Sequence, residues 1–147
     1  MLRRIAASAF ALLATSALAA AASLGISLTR RGVARSVAFL TPRVGKDETA
    51  SEWLPAALGA DSVALYMAAG AAQSIARAMI DAGKPGATPA VLVESATLPE
   101  EKRHSTTLAA LAAEALPRAE GPVVMCVGEV FREREAVAEL MERCRAG

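Results

Sequence analysis

SVALYMAAGAAQSIARAMIDAGKPGATPAVLVES, residues 62–95, is the stretch whose reading decides the fold. Two short apolar runs, VALYM and PAVLVES, flank a segment of different period. In that segment Ala72, Ile75, Ala76, Met79 and Ile80 recur at helical spacing, while Gln73, Ser74, Arg77 and Asp81 lie off the stripe. One apolar face over this length predicts an amphipathic helix lying on a layer beneath it. Gly83 offers the left-handed cap and Pro85-Gly86 the stop that a helix end requires. Short apolar runs bounded by such turns predict buried strands, so the stretch reads strand, helix, strand.

The alternation continues on both sides. SVAFLT (residues 36–41), ended by Pro42 and Gly45, predicts another buried strand, and the polar loop GKDETASEW leads into a short helix. PVVMCV (122–127) predicts a fourth apolar strand, and residues 102–106 return beside the third as a charged antiparallel edge. Thr106 or Thr107 caps a helix to about Leu116, closed by Pro117. From Glu129 to Arg145, Val137, Leu140, Met141 and Cys144 share one face of a last amphipathic helix. The expectation is an α/β fold: a layered mixed sheet of about four to five strands with flanking helices. Small residues at the ends of VALYM, PAVLVES and VVMCVGE mark where a ligand would meet such a sheet.

The chain has 147 residues, enough for one core. Hydrophobic residues make up 54% and aromatics only 3%, so Ala, Leu, Val, Ile and Met must fill that core by close packing. A net charge of +1 creates no field to gather nucleic acid or an anionic membrane. Cys126 and Cys144 lack CxxC or histidine-paired spacing and read as free thiols of a reducing compartment. The single histidine, His104, has no partner at suitable spacing, so it reads as a surface residue, and no metal site is expected. G-x-G-x-x-G, P-loop and G-x-S-x-G patterns are absent from the sequence.

The start of the chain allows two readings. Residues 5–24 carry no charge, follow Arg3-Arg4 and contain Ala17-Leu18-Ala19, which satisfies the small-x-small rule for a leader cleaved after Ala19. The same stretch reads as a buried Ala-rich helix of a cytoplasmic protein, the reading preferred, with export as the alternative, and its alanines make it a poor membrane span.

Three ordered blocks carry a resemblance: TSALAAAASLGISLTRRGVARSVAFLT, then SVALYMAAGAAQSIARAMIDAGKPGATPAVLVESATLPEEKRHSTTLAAL, then GPVVMCVGEVFR. Together they resemble the C-terminal half of uroporphyrinogen-III C-methyltransferases, in the tetrapyrrole methylase family, whose products lead to sirohaem and cobalamin. The resemblance implies S-adenosylmethionine (SAM) as cofactor, bound between two α/β domains, with uroporphyrinogen III in an adjoining trough. It implies that Thr15 and Ser16 hold the methionine end of the cofactor, that Met67 packs on it, that Ala96 meets the adenosine through its backbone, and that Pro89 and Ala90 line the same pocket. Residues 15–132 then form the methylase C-terminal domain, 133–147 a C-terminal helix, and 1–14 an unmatched segment, signal-like or a truncated start.

The departures are specific. Ser27 and Arg30 stand where the family reads proline and histidine in GIPLTHR, and Ala68 replaces the glycine of YMG. The N-terminal Gly-rich loop and the GGDP motif have no counterpart in these residues. The resemblance therefore leaves room for a non-catalytic remnant, for a homodimer or a partner of a separate N-terminal half, and for an exported small α/β binding protein.

Overall fold

A computed structural model of the chain describes residues 16–42, 52–114, 116–133 and 144–145. The proposed segment 1–14, Thr15 and most of the C-terminal helix expected up to Arg145 lie outside these residues. A first helix, α1, occupies residues 16–24. There follow β1 (Val37–Leu40), α2 (Trp53–Gly59), β2 (Ser62–Leu65), α3 (Ala72–Asp81), β3 (Pro89–Glu94), β4 (Lys102–Thr107), α4 (Leu108–Ala113) and β5 (Val123–Gly128), with a 3-10 turn at Glu129–Phe131.

The five strands form one mixed sheet in the order β1-β2-β5-β3-β4. β1 and β2 are parallel, whereas β5 runs antiparallel to both β2 and β3. β4 is the charged antiparallel edge foreseen from its sequence, pairing Glu94 with Lys102 and Leu92 with His104. Because strand side chains alternate between faces, β1, β2, β3 and β5 feed two cores. Val63, Leu65, Leu92, Met125 and Val127 pack with α3 and α4 through Ile75, Met79, Leu108 and Leu111. Ala64, Tyr66, Val91, Val93, Val124 and Cys126 pack on the other face with Ala17, Ala20, Ala21 and Leu24 of α1 and with Phe131. Helices therefore cover both faces of the sheet.

Several boundaries follow local chemistry. α3 carries its buried Ala72, Ile75, Ala76 and Met79 on the stripe the sequence predicts, and Gly83 takes a left-handed φ of 101° just past its end. The Thr107 hydroxyl accepts the Ala110 N–H at 3.2 Å, which caps α4. α4 is shorter than expected: the backbone is already extended at Glu114, ahead of Pro117. β2 also stops early, at Leu65, because Met67 is left-handed with φ of 55° and so leaves the strand.

Two carboxylates, exposed Asp61 and half-buried Glu94, pin the strands. Asp61 Oδ2 accepts from the Arg35 and Ser36 N–H groups at 2.9 and 3.1 Å and from Ser36 Oγ at 2.9 Å, joining the starts of β1 and β2. Glu94 Oε1 accepts from the Glu120 and Gly121 N–H groups at 2.7 and 2.8 Å, joining the end of β3 to the approach to β5. The Arg35 N–H foremost holds Asp61, and the Gly121 N–H foremost holds Glu94, below the ordinary values of 3.8 and 4.5. A depressed folded pKa contributes stability that is complete above the unfolded value and is lost as pH falls through the folded one. The urea midpoint should therefore be level above both ordinary values and decline below them, and Asp61→Asn with Glu94→Gln should flatten that decline. An equally steep acid limb in the double variant would contradict the assignment.

Candidate functional site

The end of β2, the end of β3 and the beginning of β5 lie on one side of the sheet, because β5 runs against both neighbours. Beyond these ends the chain builds a cavity of about 310 Å³ lined by Ser16, Tyr66, Met67, Ala69, Ser95, Ala96, Leu98, Pro122, Val123 and Val124. The lining is mostly apolar with a few polar groups, the usual character of a small-molecule site.

The backbone around it is strained. Among the described residues the non-glycine positions with positive φ are Met67 at 55°, Ser95 at 52° and Thr97 at 68°, all at this cavity or one residue from its wall. Each left-handed non-glycine residue costs on the order of 1–3 kcal/mol. Hydrogen bonds hold two of them there: the Ser95 N–H donates to the Pro122 carbonyl at 2.9 Å, and the Thr97 N–H to Glu101 Oε2 at 2.6 Å. Glu101 is held below the usual carboxylate range chiefly by that Thr97 bond, and it also pairs with Arg103. The outcome is a turn that presents Ala96 and leaves Leu98 and Met67 each 49% exposed.

Tyr66 is the one wall residue with an aromatic ring. Burial raises its phenol above the ordinary value, with Cys126 adding to the effect. The Ala17 backbone N–H acts in the opposite direction on this phenol, whose oxygen is buried.

A second groove of about 580 Å³ lies toward α3 and β4 and meets the first cavity at Ala69 and Val123. Lys102, Arg103, His104 and Arg118 stand on its walls, beside Leu92, Leu116 and Pro117. His104 is exposed on β4. No group of His, Cys, Asp and Glu able to hold a metal occurs among the described residues, and none of their helices is long and apolar enough to cross a membrane.

Of the residues singled out from the sequence, Ser16, Met67 and Ala96 come together in the first cavity. Pro89 and Ala90 do not, which corrects the expectation for them. They form the opposite end of β3, paired with Thr107 and Thr106, and are fully buried. Five residues of extended strand separate Pro89 from Glu94 by about 16 Å. Likewise the end of VVMCVG lies at the far side, where Gly128 pairs with Ser62, and the start of that strand is what reaches the cavity. Tyr66, Ser95 and Pro122–Val124 were not singled out from the sequence; the proline after Gly121 was the available signal, but only the antiparallel course of β5 gives it meaning. Ala68, whose methyl replaces a glycine hydrogen, is buried in the core beneath α3 and does not line the first cavity. Arg30 forms an ion pair with Glu133 at 2.8 Å.

Both cysteines are free thiols. Burial pushes Cys126 up to about 12, while Cys144 is exposed. A thiol reagent at neutral pH should therefore modify one group in the native protein and the second only on unfolding; two equally fast reactions would contradict this placement.

Fold and site together define a layered α/β domain with a small-molecule cavity at its strand ends. The model of the family "Tetrapyrrole (Corrin/Porphyrin) Methylases" matches residues 14–112, and the chain belongs to that family. The siroheme synthase of Neisseria meningitidis serogroup A / serotype 4A is 34% identical over 131 residues, covering 89% of this chain and 27% of that protein. That of Saccharophagus degradans is 33% identical over 123 residues, covering 82% of this chain and again 27% of that protein. The chain thus spans about a quarter of the length of these curated relatives. Among solved structures, the uroporphyrin III C-methyl transferase of Thermus thermophilus superposes with a TM-score of 0.66 at 26% identity, covering 75% of this chain and 47% of that one. The same enzyme has been solved complexed with S-adenyl homocysteine. Tetrapyrrole methylases are dependent on S-adenosylmethionine. A cobalt precorrin-4 methyltransferase shares the fold, with a TM-score of 0.62 at 24% identity.

Proposed function

We propose that this chain forms the C-terminal half of a SAM-dependent uroporphyrinogen-III C-methyltransferase, acting on the way to sirohaem or cobalamin. The observation that carries the reading is the cavity that gathers Ser16, Met67 and Ala96 from three separate elements. Its residues fit the cofactor in kind: an apolar slot for the nucleoside, a soft thioether at Met67, and polar groups near Ser16 for the amino-acid end. When bound, SAM supplies a methyl group made electrophilic by its sulfonium. The chain's own residues would bind and orient it: the left-handed turns at Met67 and Ser95 would present backbone to the ligand, and Ala96 would leave it room.

The groove beyond Ala69 and Val123 suits the acceptor. A macrocycle with carboxylate arms would find cationic Lys102, Arg103 and Arg118 around an apolar floor of Leu92 and Val123. Two cavities that share Ala69 and Val123 in their walls would give methyl donor and acceptor neighbouring places, as transfer between bound partners requires. The half-exposed Met67 and Leu98 favour a further wall supplied by an N-terminal domain outside this sequence or by a partner chain. Cleavage after Ala19 would remove Ser16 and the fully buried Ala17 from α1, which supports a cytoplasmic rather than an exported protein.

Calorimetric titration of the purified chain with S-adenosylhomocysteine tests the binding half of this reading. Saturable heat supports it, and no heat at millimolar ligand overturns it. Co-expression with the N-terminal half of a methylase tests catalysis, since only a complementing pair should methylate uroporphyrinogen III. Mass spectrometry of the mature protein checks location: a start at Ala20 would overturn the cytoplasmic reading.

A further inference from the structure

Glu101 is a charged side chain that the proposed function leaves without a task. Only 10% of it is exposed, although residues 97–100 just before it are all exposed. A carboxylate withdrawn from water is costly unless hydrogen-bonded partners replace the solvent. Here each oxygen has its own partner: Oε2 accepts the Thr97 N–H at 2.6 Å, and Oε1 accepts from Arg103 Nε. An amide in the same place would have one acceptor oxygen instead of two and could not serve both sides.

The bond to Thr97 falls where the backbone needs it. Thr97 is β-branched and left-handed, with φ of 68°, a combination that an unconstrained chain avoids. The Leu98 N–H donates to the Ser95 carbonyl and the Glu101 N–H to the Leu98 carbonyl, both at 3.0 Å, which folds the turn back and brings Glu101 beside Thr97. Ala96 is thus suspended between two left-handed residues, Ser95 tied to Pro122 and Thr97 tied to Glu101. Glu101 does not itself line the first cavity, so it acts on a ligand there only through this turn.

We infer that Glu101 is a positioning residue for the nucleoside end of SAM and of its demethylated product: by bonding the Thr97 N–H it holds the turn in which the Ala96 backbone faces the adenosine. The inference rests on the proposed function, which seats the cofactor in this cavity with its nucleoside at Ala96. Arg103 keeps the carboxylate aimed by taking its other oxygen. A turn set before the ligand arrives spares the cost of ordering it at binding.

S-adenosylhomocysteine and methylthioadenosine share the nucleoside and the sulfur, and only the first has an amino-acid end. Calorimetry should show Glu101→Ala binding both about tenfold more weakly, the factor that relaxation of one left-handed residue is worth. Glycine takes a positive φ without strain, and Thr97 is exposed, so Thr97→Gly forfeits little packing. Glu101→Ala combined with Thr97→Gly should therefore regain most of the lost affinity. A loss that the glycine does not relieve would reveal a merely structural role and overturn the inference. Unchanged affinity in folded Glu101→Ala would overturn it too, as would a loss confined to S-adenosylhomocysteine, which would put the effect at the amino-acid end. Should Glu101→Ala fail to fold, Glu101→Gln keeps the volume of the side chain and decides by the same comparison: weakened binding that Thr97→Gly relieves supports the inference, and any other result overturns it. Failure of the unsubstituted chain to bind S-adenosylhomocysteine would instead bring down the proposed function and this inference with it.

Discussion

Gly128→Ala should unfold the protein or leave it barely stable, with a loss of about 2–5 kcal/mol in urea denaturation. Gly128 ends β5 opposite Ser62, with φ of 151°, a conformation side chains rarely adopt. A Cβ there would sit 2.8 Å from the Asp61 carbonyl oxygen and 3.2 Å from Ser62 Cα. Both neighbours are backbone in the adjoining strand, so neither can swing aside as a side-chain tip could. Asp61 also clamps Arg35 and Ser36, so moving it would disturb β1 as well as β2. A denaturation midpoint within error of the unsubstituted chain would show that the close approach of β5 to β2 is wrong.

Ala96→Trp should abolish ligand binding while the fold survives. Ala96 lines the first cavity, partly buried between left-handed Ser95 and Thr97. An indole at this position would fill much of a space of about 310 Å³. Affinity for S-adenosylhomocysteine should fall at least about a hundredfold, or roughly 2.8 kcal/mol, with an unaltered circular dichroism spectrum. Retained affinity in a folded Ala96→Trp protein would remove this cavity from consideration as the cofactor site.

Local signals account for most of the architecture. The helical stripe from Ala72 to Ile80, the stop at Gly83 and Pro85, the cap at Thr107 and the charged edge at Lys102–Thr107 are properties of neighbouring residues, and each corresponds to an observed element. Strand direction is different, because an apolar run such as PVVMCV looks the same whichever way it runs. The course of β5 between β2 and β3 is set by packing of residues far apart in sequence, and it decides which strand ends meet. Resemblance led to Met67 and Ala96, and the structure unites them with Ser16; it could not reveal that Pro89 and Ala90 sit at the far end of β3. The turns at Met67, Ser95 and Thr97 were also invisible, since nothing about these residue types announces a positive φ.

The strand order also constrains how the protein is made. β5, the last of the described strands in chain order, is the middle strand of the sheet. A nascent chain that has emerged only as far as β4 can pair β1 with β2 and β3 with β4, yet it has nothing to join the two halves. Until Val123–Gly128 clears the ribosome, the inner edges of Ser62–Leu65 and Pro89–Glu94 stay open to other chains. Assembly must therefore await β5, and the sheet closes by insertion of this middle strand rather than by growth from one side.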